Sequence, residues 1–409
     1  MNTSLEKSDV RIVLLENISS SARETFAAAG YTTVEEIPRA LSGQELIEQL
    51  RGAHVLGIRS NTHLTVDVLA QLPDLITVGC FCIGTNQVDL HAALESGVPV
   101  FNAPFSNTRS VAELTLSSII ALTRRVPEKN AQMHRGVWDK SAKKSYEVRG
   151  KTLGIIGYGN IGAQLSVLAE HMGMHVVYFD IQKKLSVGNA RQLGSLEEVL
   201  AQSDIVSVHV PDNPSTRGLI SAAQFSAMKD GVSFINYSRG TVVDIDALVA
   251  ALRSGHIAGA AIDVYPSEPK SHDEEFVSAL REFDNVILTP HIGGSTEEAQ
   301  RAIGYEVSEA LVKYLDNGST SGAVNFPQVS LPQYSGVHRF LNIHKNVPGM
   351  LKQINSVIAE VGGNVVGQFL QTNATTGYLV LDIEAGPDSE ALRQKIQTIP
   401  GCIRTRALY

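Results

Sequence analysis

The segment Gly157-Tyr158-Gly159-Asn160-Ile161-Gly162 constrains this chain more than any other, because of what flanks it. The apolar run 153–156 reads as a buried strand leading in, and Ile161, Leu165, Leu168, Ala169 and Met172 follow at helical spacing. A glycine turn between strand and helix is the context in which this spacing holds a dinucleotide. Gly157 permits the tight turn, Gly159 lets backbone approach a pyrophosphate, and Gly162 lets helix and strand pack closely. The pyrophosphate then sits on unpaired N–H groups at the helix start. Asp180 closes a second strand eighteen residues after Gly162. A carboxylate there accepts from the ribose hydroxyls and repels a 2′-phosphate, which favours NAD over NADP.

A chain of 409 residues has room for two or three domains, each with its own core. The net charge of −8 and the lack of any Lys/Arg block exclude nucleic acid as an expected partner. No apolar run approaches the ~20 residues needed to span a bilayer, and no secretory segment opens the chain. A cytoplasmic protein without a membrane partner is the expectation. Cys80, Cys82 and Cys402 are an odd count without metal-type spacing, so no metal is expected. Cys80 and Cys82, two apart in 77–83, read as core thiols on one side of a strand.

The first hundred residues alternate strand and helix, with strands at 11–15, 33–34 and 54–58. Helices start at the Ser-x-x-Glu boxes Ser21/Glu24 and Ser42/Glu45, and Gly30 and Gly52 follow their ends. Such alternation predicts a parallel, doubly wound sheet. A third box, Ser110/Glu113, opens a helix leading out of this domain. A fourth, Ser295/Glu298, opens the returning helix, which runs to about Lys313. Between them, strands at 153–156, 176–179, 205–208, 233–236, 258–262 and 286–288 predict a six-stranded sheet. The second α/β domain is therefore inserted into the first: residues 1–105 with 295–330, and residues 106–294. After a linker with Pro332, Ser335 and Gly336, residues 338–409 read as strand, helix, strand, strand, helix, strand. That βαββαβ order is a ferredoxin-like module.

Three clusters follow strands, where open α/β sheets bind their ligands. They are Asn236-Tyr237-Ser238-Arg239-Gly240, Asp263-Val264-Tyr265-Pro266-Ser267-Glu268-Pro269 and Thr289-Pro290-His291-Ile292-Gly293-Gly294-Ser295. Singly they read as a surface arginine, a solvated acid and a turn histidine. Together they place a cation, an acid and a base after three strands of one sheet. An arginine fork holds an oxo acid, a histidine moves the hydroxyl proton, and a carboxylate raises the imidazolium pKa. That set suffices for hydride transfer to NAD.

These motifs, with the glycine turn and Asp180, resemble the D-isomer-specific 2-hydroxy-acid dehydrogenase family over roughly residues 50 to 320. Residues 80–89 and 103–113 resemble its short, phosphoglycerate-oxidising branch, and the tail resembles that branch's ACT regulatory domain. The resemblance implies a Rossmann NAD domain inserted in a flavodoxin-like substrate domain, followed by the ACT domain. It implies Arg239, Glu268 and His291 as catalytic. Gly157, Gly159, Asn160, Ile161, Gly162, Asp180, Ser238, Asp263, Gly293 and Gly294 would line NAD. The backbone of Ile83 and Gly84 would meet the substrate carboxylate beside Arg239. Arg59, Ser60, Asn107 and Lys140 would face the distal phosphate, Lys140 reaching a neighbouring subunit. The branch often carries a second basic residue at the position of Asn61.

The implied reaction is oxidation of D-3-phosphoglycerate to 3-phosphooxypyruvate in serine synthesis, with reduction of 2-oxoglutarate as a side activity. The implied effector is L-serine, held by His344, Asn346 and Asn364 between ACT domains of a homotetramer. Asn346 has an alternative reading, as cap of the helix after Pro348. The rival functions are dehydrogenation of another D-2-hydroxy acid and NAD sensing without catalysis.

Overall fold

The computed structural model describes residues 5–269, 274–332, 336–384 and 388–408. The chain separates into two compact units, Met1–Ser106 with Gln300–Tyr409, and Asn107–Ala299. In the first unit, β1 (Ile12–Leu15), β2 (Val34–Ile37), β3 (Val55–Ile58), β4 (Thr77–Cys80) and β5 (Val100–Asn102) form a parallel sheet. Its order, β2-β1-β3-β4-β5, is the flavodoxin-like one. β1, β3 and β4 are buried along their whole length, as strands covered on both faces must be, while the edge strand β2 is partly exposed. β4 ends at Cys80 rather than carrying Cys82 as well. The chain turns after buried Phe81, and Cys82 Sγ lies 3.2 Å from Gly84 O.

The second unit holds β6 (Thr152–Ile156), β7 (His175–Phe179), β8 (Arg191–Gln192), β9 (Ile205–Val208), β10 (Val232–Asn236), β11 (Ile257–Ile262) and β12 (Val286–Leu288). The sheet is parallel and seven-stranded, in the order β12-β11-β10-β9-β6-β7-β8. The strand missed from sequence is β8, whose two residues are too few to show any periodicity. Strand order reverses between β6 and β9, so the crevice at their carboxyl ends is the switch point at which such folds bind ligands.

None of the four Ser-x-x-Glu boxes forms. Ser19, not Ser21, caps the helix Ser20–Ala28, because Ser21 Oγ instead donates to Arg301 O at 2.9 Å. Ser42 precedes its helix without a side-chain cap, and Glu45 pairs with Arg39. Ser110 lies inside the helix Thr108–Thr123, its hydroxyl 2.8 Å from Thr296 Oγ1. Thr296 caps the helix Glu297–Asn317 by accepting from Ala299 N at 3.1 Å, and that helix outruns Lys313. The box that does form among the described residues is Ser221 with Gln224.

The C-terminal segment has β13 (Val337–Lys345), β14 (Val365–Thr372), β15 (Thr376–Glu384) and β16 (Cys402–Leu408) in an antiparallel sheet ordered β14-β15-β13-β16. The helices Met350–Glu360 and Ser389–Gln397 complete the βαββαβ pattern. Alternation along the strands splits two faces. Phe340, Leu379, Leu381 and Ile383 pack with Ile354, Leu392 and Ile396 of the two helices. Leu341, Ile343, Tyr378 and Val380 instead join one core with Phe101, Tyr314, Leu315 and Phe326. The module therefore shares its core with the N-terminal domain instead of hanging from a linker; Ser335 lies outside the described residues.

Polar contacts fasten the same face. Tyr378 Oη donates to Gly318 O at 2.6 Å. Arg339, 5% exposed, makes a forked pair with Asp382 at 2.6 and 2.8 Å, and its Nη1 donates to Asn317 O and Pro332 O. A buried ion pair gains little over apolar packing, yet losing one partner strands the other charge. Asp382→Leu is therefore expected to lower stability by about 3–5 kcal/mol in urea unfolding.

Candidate functional site

The glycine turn has the geometry its sequence requires. Gly157 has φ 93°, and a Cβ there would lie 2.7 Å from His209 O. A Cβ on Gly162 would meet Gly157 O at 2.4 Å, so helix and turn pack at backbone distance. Tyr158 turns its ring inward, stacked on Tyr178 at 3.7 Å, and its N–H donates to Asp180 Oδ2 at 2.9 Å. Gly159 is the N-cap of the helix Asn160–His171 without a side-chain cap, and the space beside its Cα is open for 4 Å. Free N–H groups on an open helix end, with a carboxylate alongside, fit a dinucleotide pyrophosphate and ribose.

Sequence reasoning missed His209, just past β9 at this turn. Its Nε2 is 2.8 Å from Ser207 Oγ and its Nδ1 is buried without a partner. Burial pushes its pKa down to about 4, which keeps the ring neutral. Only its place beyond the strand at the switch point could have drawn notice.

After β10, the Asn236 side chain closes a turn: Oδ1 accepts from Ser238 N and Oγ, and Nδ2 donates to Arg239 O. Arg239 is half-buried, and Nη1 donates to Ser238 O at 2.6 Å. Beside it, a Cβ on Gly240 would lie 2.0 Å from the Tyr265 carbonyl carbon, so this turn presses on the loop carrying Glu268. Glu268 Oε2 is 2.9 Å from His291 Nδ1, and Oε1 accepts from Tyr265 N at 3.1 Å. His291 has φ 55°, a left-handed backbone, and its side chain is 51% exposed. With Nδ1 turned to Glu268, Nε2 is the nitrogen free to work.

The charges match that arrangement. The hydrogen bond to Glu268 raises the His291 pKa above the ordinary histidine value, against the opposing effects of burial and of Arg239. Burial alone would raise the Glu268 pKa, but the His291 hydrogen bond and charge outweigh it and hold the carboxylate ionised. Asp263, 1% exposed, spends its carboxylate on Thr289 Oγ1, Ile292 N and Gly293 N. Asn107 precedes the helix Thr108–Thr123, its amide against Gly294 and its Oδ1 buried without a partner. Lys140 is exposed.

The remaining anion-facing candidates belong to the first unit, where two buried residues outside the sequence reading brace them. Glu16, 7% exposed and at φ 64°, accepts on its carboxylate from the backbone of Arg59 (3.2 Å), Asn61 (3.0 Å) and Thr62 (2.9 Å). Gln87, 3% exposed, donates through Nε2 to Arg59 O at 2.6 Å and Gly84 O at 3.2 Å. One amide thus ties the Arg59-Ser60 loop to the Ile83-Gly84 loop.

In the C-terminal sheet, His344 is 3% exposed, its Nδ1 2.8 Å from Asn342 Oδ1, and burial lowers its pKa. Asn346 is exposed and donates to Asn373 O at 2.8 Å. It does not cap the next helix, whose N-cap is Gly349. Asn364 lies before β14, where its carbonyl accepts from Glu384 N, while His344 pairs with Gly377. Within one chain, Asn364 and the His344–Asn346 pair therefore occupy opposite ends of the sheet. Among the described residues there is no group of three metal-ligating side chains, and no helix is long and apolar enough to cross a membrane.

Residues 116–293 match the family described as D-isomer specific 2-hydroxyacid dehydrogenase, NAD binding domain, which defines the class of protein. Residues 340–404 match an AHAS small subunit-like ACT domain. D-3-phosphoglycerate dehydrogenase of Haemophilus influenzae is 56% identical over 406 residues, covering 99% of each chain. The Escherichia coli enzyme of the same name is 56% identical over 407 residues, again covering 99% of each. The crystal structure of the TT0316 protein from Thermus thermophilus superposes with TM-score 0.68 at 31% identity, over 77% of this chain and 99% of that one. The chain belongs to the D-3-phosphoglycerate dehydrogenase family of NAD-binding D-isomer specific 2-hydroxyacid dehydrogenases.

Because Glu268 is what raises the His291 pKa, Glu268→Gln should bring it down toward the ordinary value of about 6.5. Proton NMR titration of the His291 ring reads that shift.

Proposed function

We propose that this chain oxidises D-3-phosphoglycerate to 3-phosphooxypyruvate, the first step of L-serine synthesis. The His291–Glu268 contact at 2.9 Å, beside the Arg239 turn, carries the reading, and the relatives at 56% identity support the substrate. Residues 106–294 form the NAD domain, 1–105 with 295–330 the substrate domain, and 338–409 the ACT domain. The turn Gly157–Gly162 and Asp180 hold NAD, with Ser238, Asp263, Gly293 and Gly294 at its nicotinamide end. Bound NAD supplies the hydride acceptor.

His291 Nε2 takes the proton from the C2 hydroxyl, and Glu268 stabilises the imidazolium that results. Arg239 holds the substrate carboxylate with the Ile83-Gly84 backbone, and polarises the carbonyl that develops at C2. Arg59, Ser60 and Asn107 grip the phosphate, with Lys140 reaching a neighbouring subunit. A second carboxylate on 2-oxoglutarate mimics that phosphate and gives the side activity.

The direction of the pH dependence follows from the raised His291 pKa. Oxidation needs neutral imidazole and falls as pH drops below that value; reduction needs imidazolium and falls as pH rises above it. His291→Ala should lower turnover of 3-phosphooxypyruvate with NADH by roughly 10²–10⁴-fold and leave NAD binding intact. Loss of both activity and NAD binding would make His291 a folding residue. Activity with other oxo acids but none with 3-phosphooxypyruvate would move the substrate.

Serine regulation rests on the tail. Asn364 at one end of the sheet and His344 with Asn346 at the other can share one ligand only across two copies of the domain. This supports serine bridging ACT domains in a homotetramer, coupling assembly to the catalytic clefts. Asn364→Ala should abolish inhibition by millimolar L-serine while leaving uninhibited turnover unchanged. Inhibition surviving in that variant would remove the site from these residues.

A further inference from the structure

A cavity of about 570 Å³ opens within the first unit, beside β16. Its charged lining includes Lys7, His54, Asp74, Asp316, Arg404 and Arg406, with the pair Glu390–Arg393 at its rim. None of the residues assigned to NAD, substrate or serine lines it.

The charges do not balance. Asp316 is taken by Lys7 at 2.8 Å and by the Tyr31 hydroxyl at 2.7 Å. Glu390 is taken by Arg393. His54 accepts from Arg11 N on Nδ1, and burial lowers its pKa, so the ring adds no charge. That leaves two guanidiniums facing one carboxylate, Asp74. Among the described residues neither Arg404 nor Arg406 forms an ion pair.

Both are nevertheless held in place by uncharged groups. Arg404 donates to Leu75 O through Nη1 and to Pro73 O through Nη2. Arg406 stacks over the buried Tyr314 ring, 5.4 Å from its centroid, and its Nη1 is buried without a hydrogen-bond partner. With Nη1 closed to solvent, the other guanidinium nitrogens are the ones a ligand can reach, and a phosphate oxygen is the acceptor that a planar fork fits. The volume exceeds what a bare phosphate needs and falls in the range of small-ligand sites.

We propose that this cavity binds a small phosphorylated molecule, its phosphate held by Arg404 and Arg406. The site is separate from the reaction centre, so the proposal does not depend on the substrate assignment above. Crystals of the full chain soaked in selenate, as a heavy stand-in for phosphate, should show an anomalous peak within hydrogen-bond distance of the Arg406 guanidinium. In titrations with inorganic phosphate, Arg406→Met should weaken binding at one site about tenfold or more, the loss of one charge-assisted contact. Turnover should be unchanged, and Arg406→Lys, which keeps the charge but loses the fork, should fall between. Selenate found only elsewhere in the molecule would overturn the proposal. So would equal phosphate binding by folded Arg406→Met and the native protein. If that variant fails to fold, the soak of the native protein decides alone.

Discussion

The carboxylate of Asp263 leaves β11 at its C-terminal end and reaches the loop after β12, where it accepts from Thr289 Oγ1, Ile292 N and Gly293 N. That reach fixes where His291 stands. Three donors satisfy a charge that is 1% exposed and would otherwise be costly to bury. Gly293 is constrained by the same contact, since a Cβ there would come within 2.9 Å of Oδ2. With both ends of the His291 turn set, the imidazole meets Glu268 on the neighbouring loop. The His291–Glu268 pair therefore depends on a residue that holds no substrate atom in the proposed reaction. Asp263 serves as a loop brace here, whatever it also offers a nicotinamide.

Much of this was legible because it is local. A glycine turn between a strand and a helix, and polar clusters directly after buried strands, are read within a few residues of each other. The inserted architecture followed from strand and helix alternation in the same way. Helix starts were less legible: Ser21 sits in a perfect box, yet its hydroxyl bonds a carbonyl 280 residues further along the chain. Competition from a distant partner overrides a local cap, and periodicity does not carry that information. Glu16 and Gln87 escaped notice for the same reason. Each is an ordinary polar residue whose role exists only once separate loops are folded together.

The C-terminal module shows a related limit. Its strand order could be read from alternation, but alternation does not say what covers each face. One face carries Leu341, Ile343, Tyr378 and Val380, which a sequence reader would accept equally as an isolated domain's core. In the folded chain that face is completed by Phe101, Tyr314 and Phe326, and sealed by Arg339 and Asp382. The regulatory segment and the helix Glu297–Asn317 are thus parts of one packed body, with Arg339 Nη1 donating to the last carbonyl of that helix.

His291 sits at φ 55°, a region that glycine enters freely and a side chain enters at a cost. The position to which the proposed reaction assigns the proton transfer is thus one where the backbone, left to itself, would favour a different residue. Stability and the proposed proton transfer pull in opposite directions at this single site, and drift toward a more robust fold there would remove the proposed base. The left-handed turn records which of the two demands has prevailed.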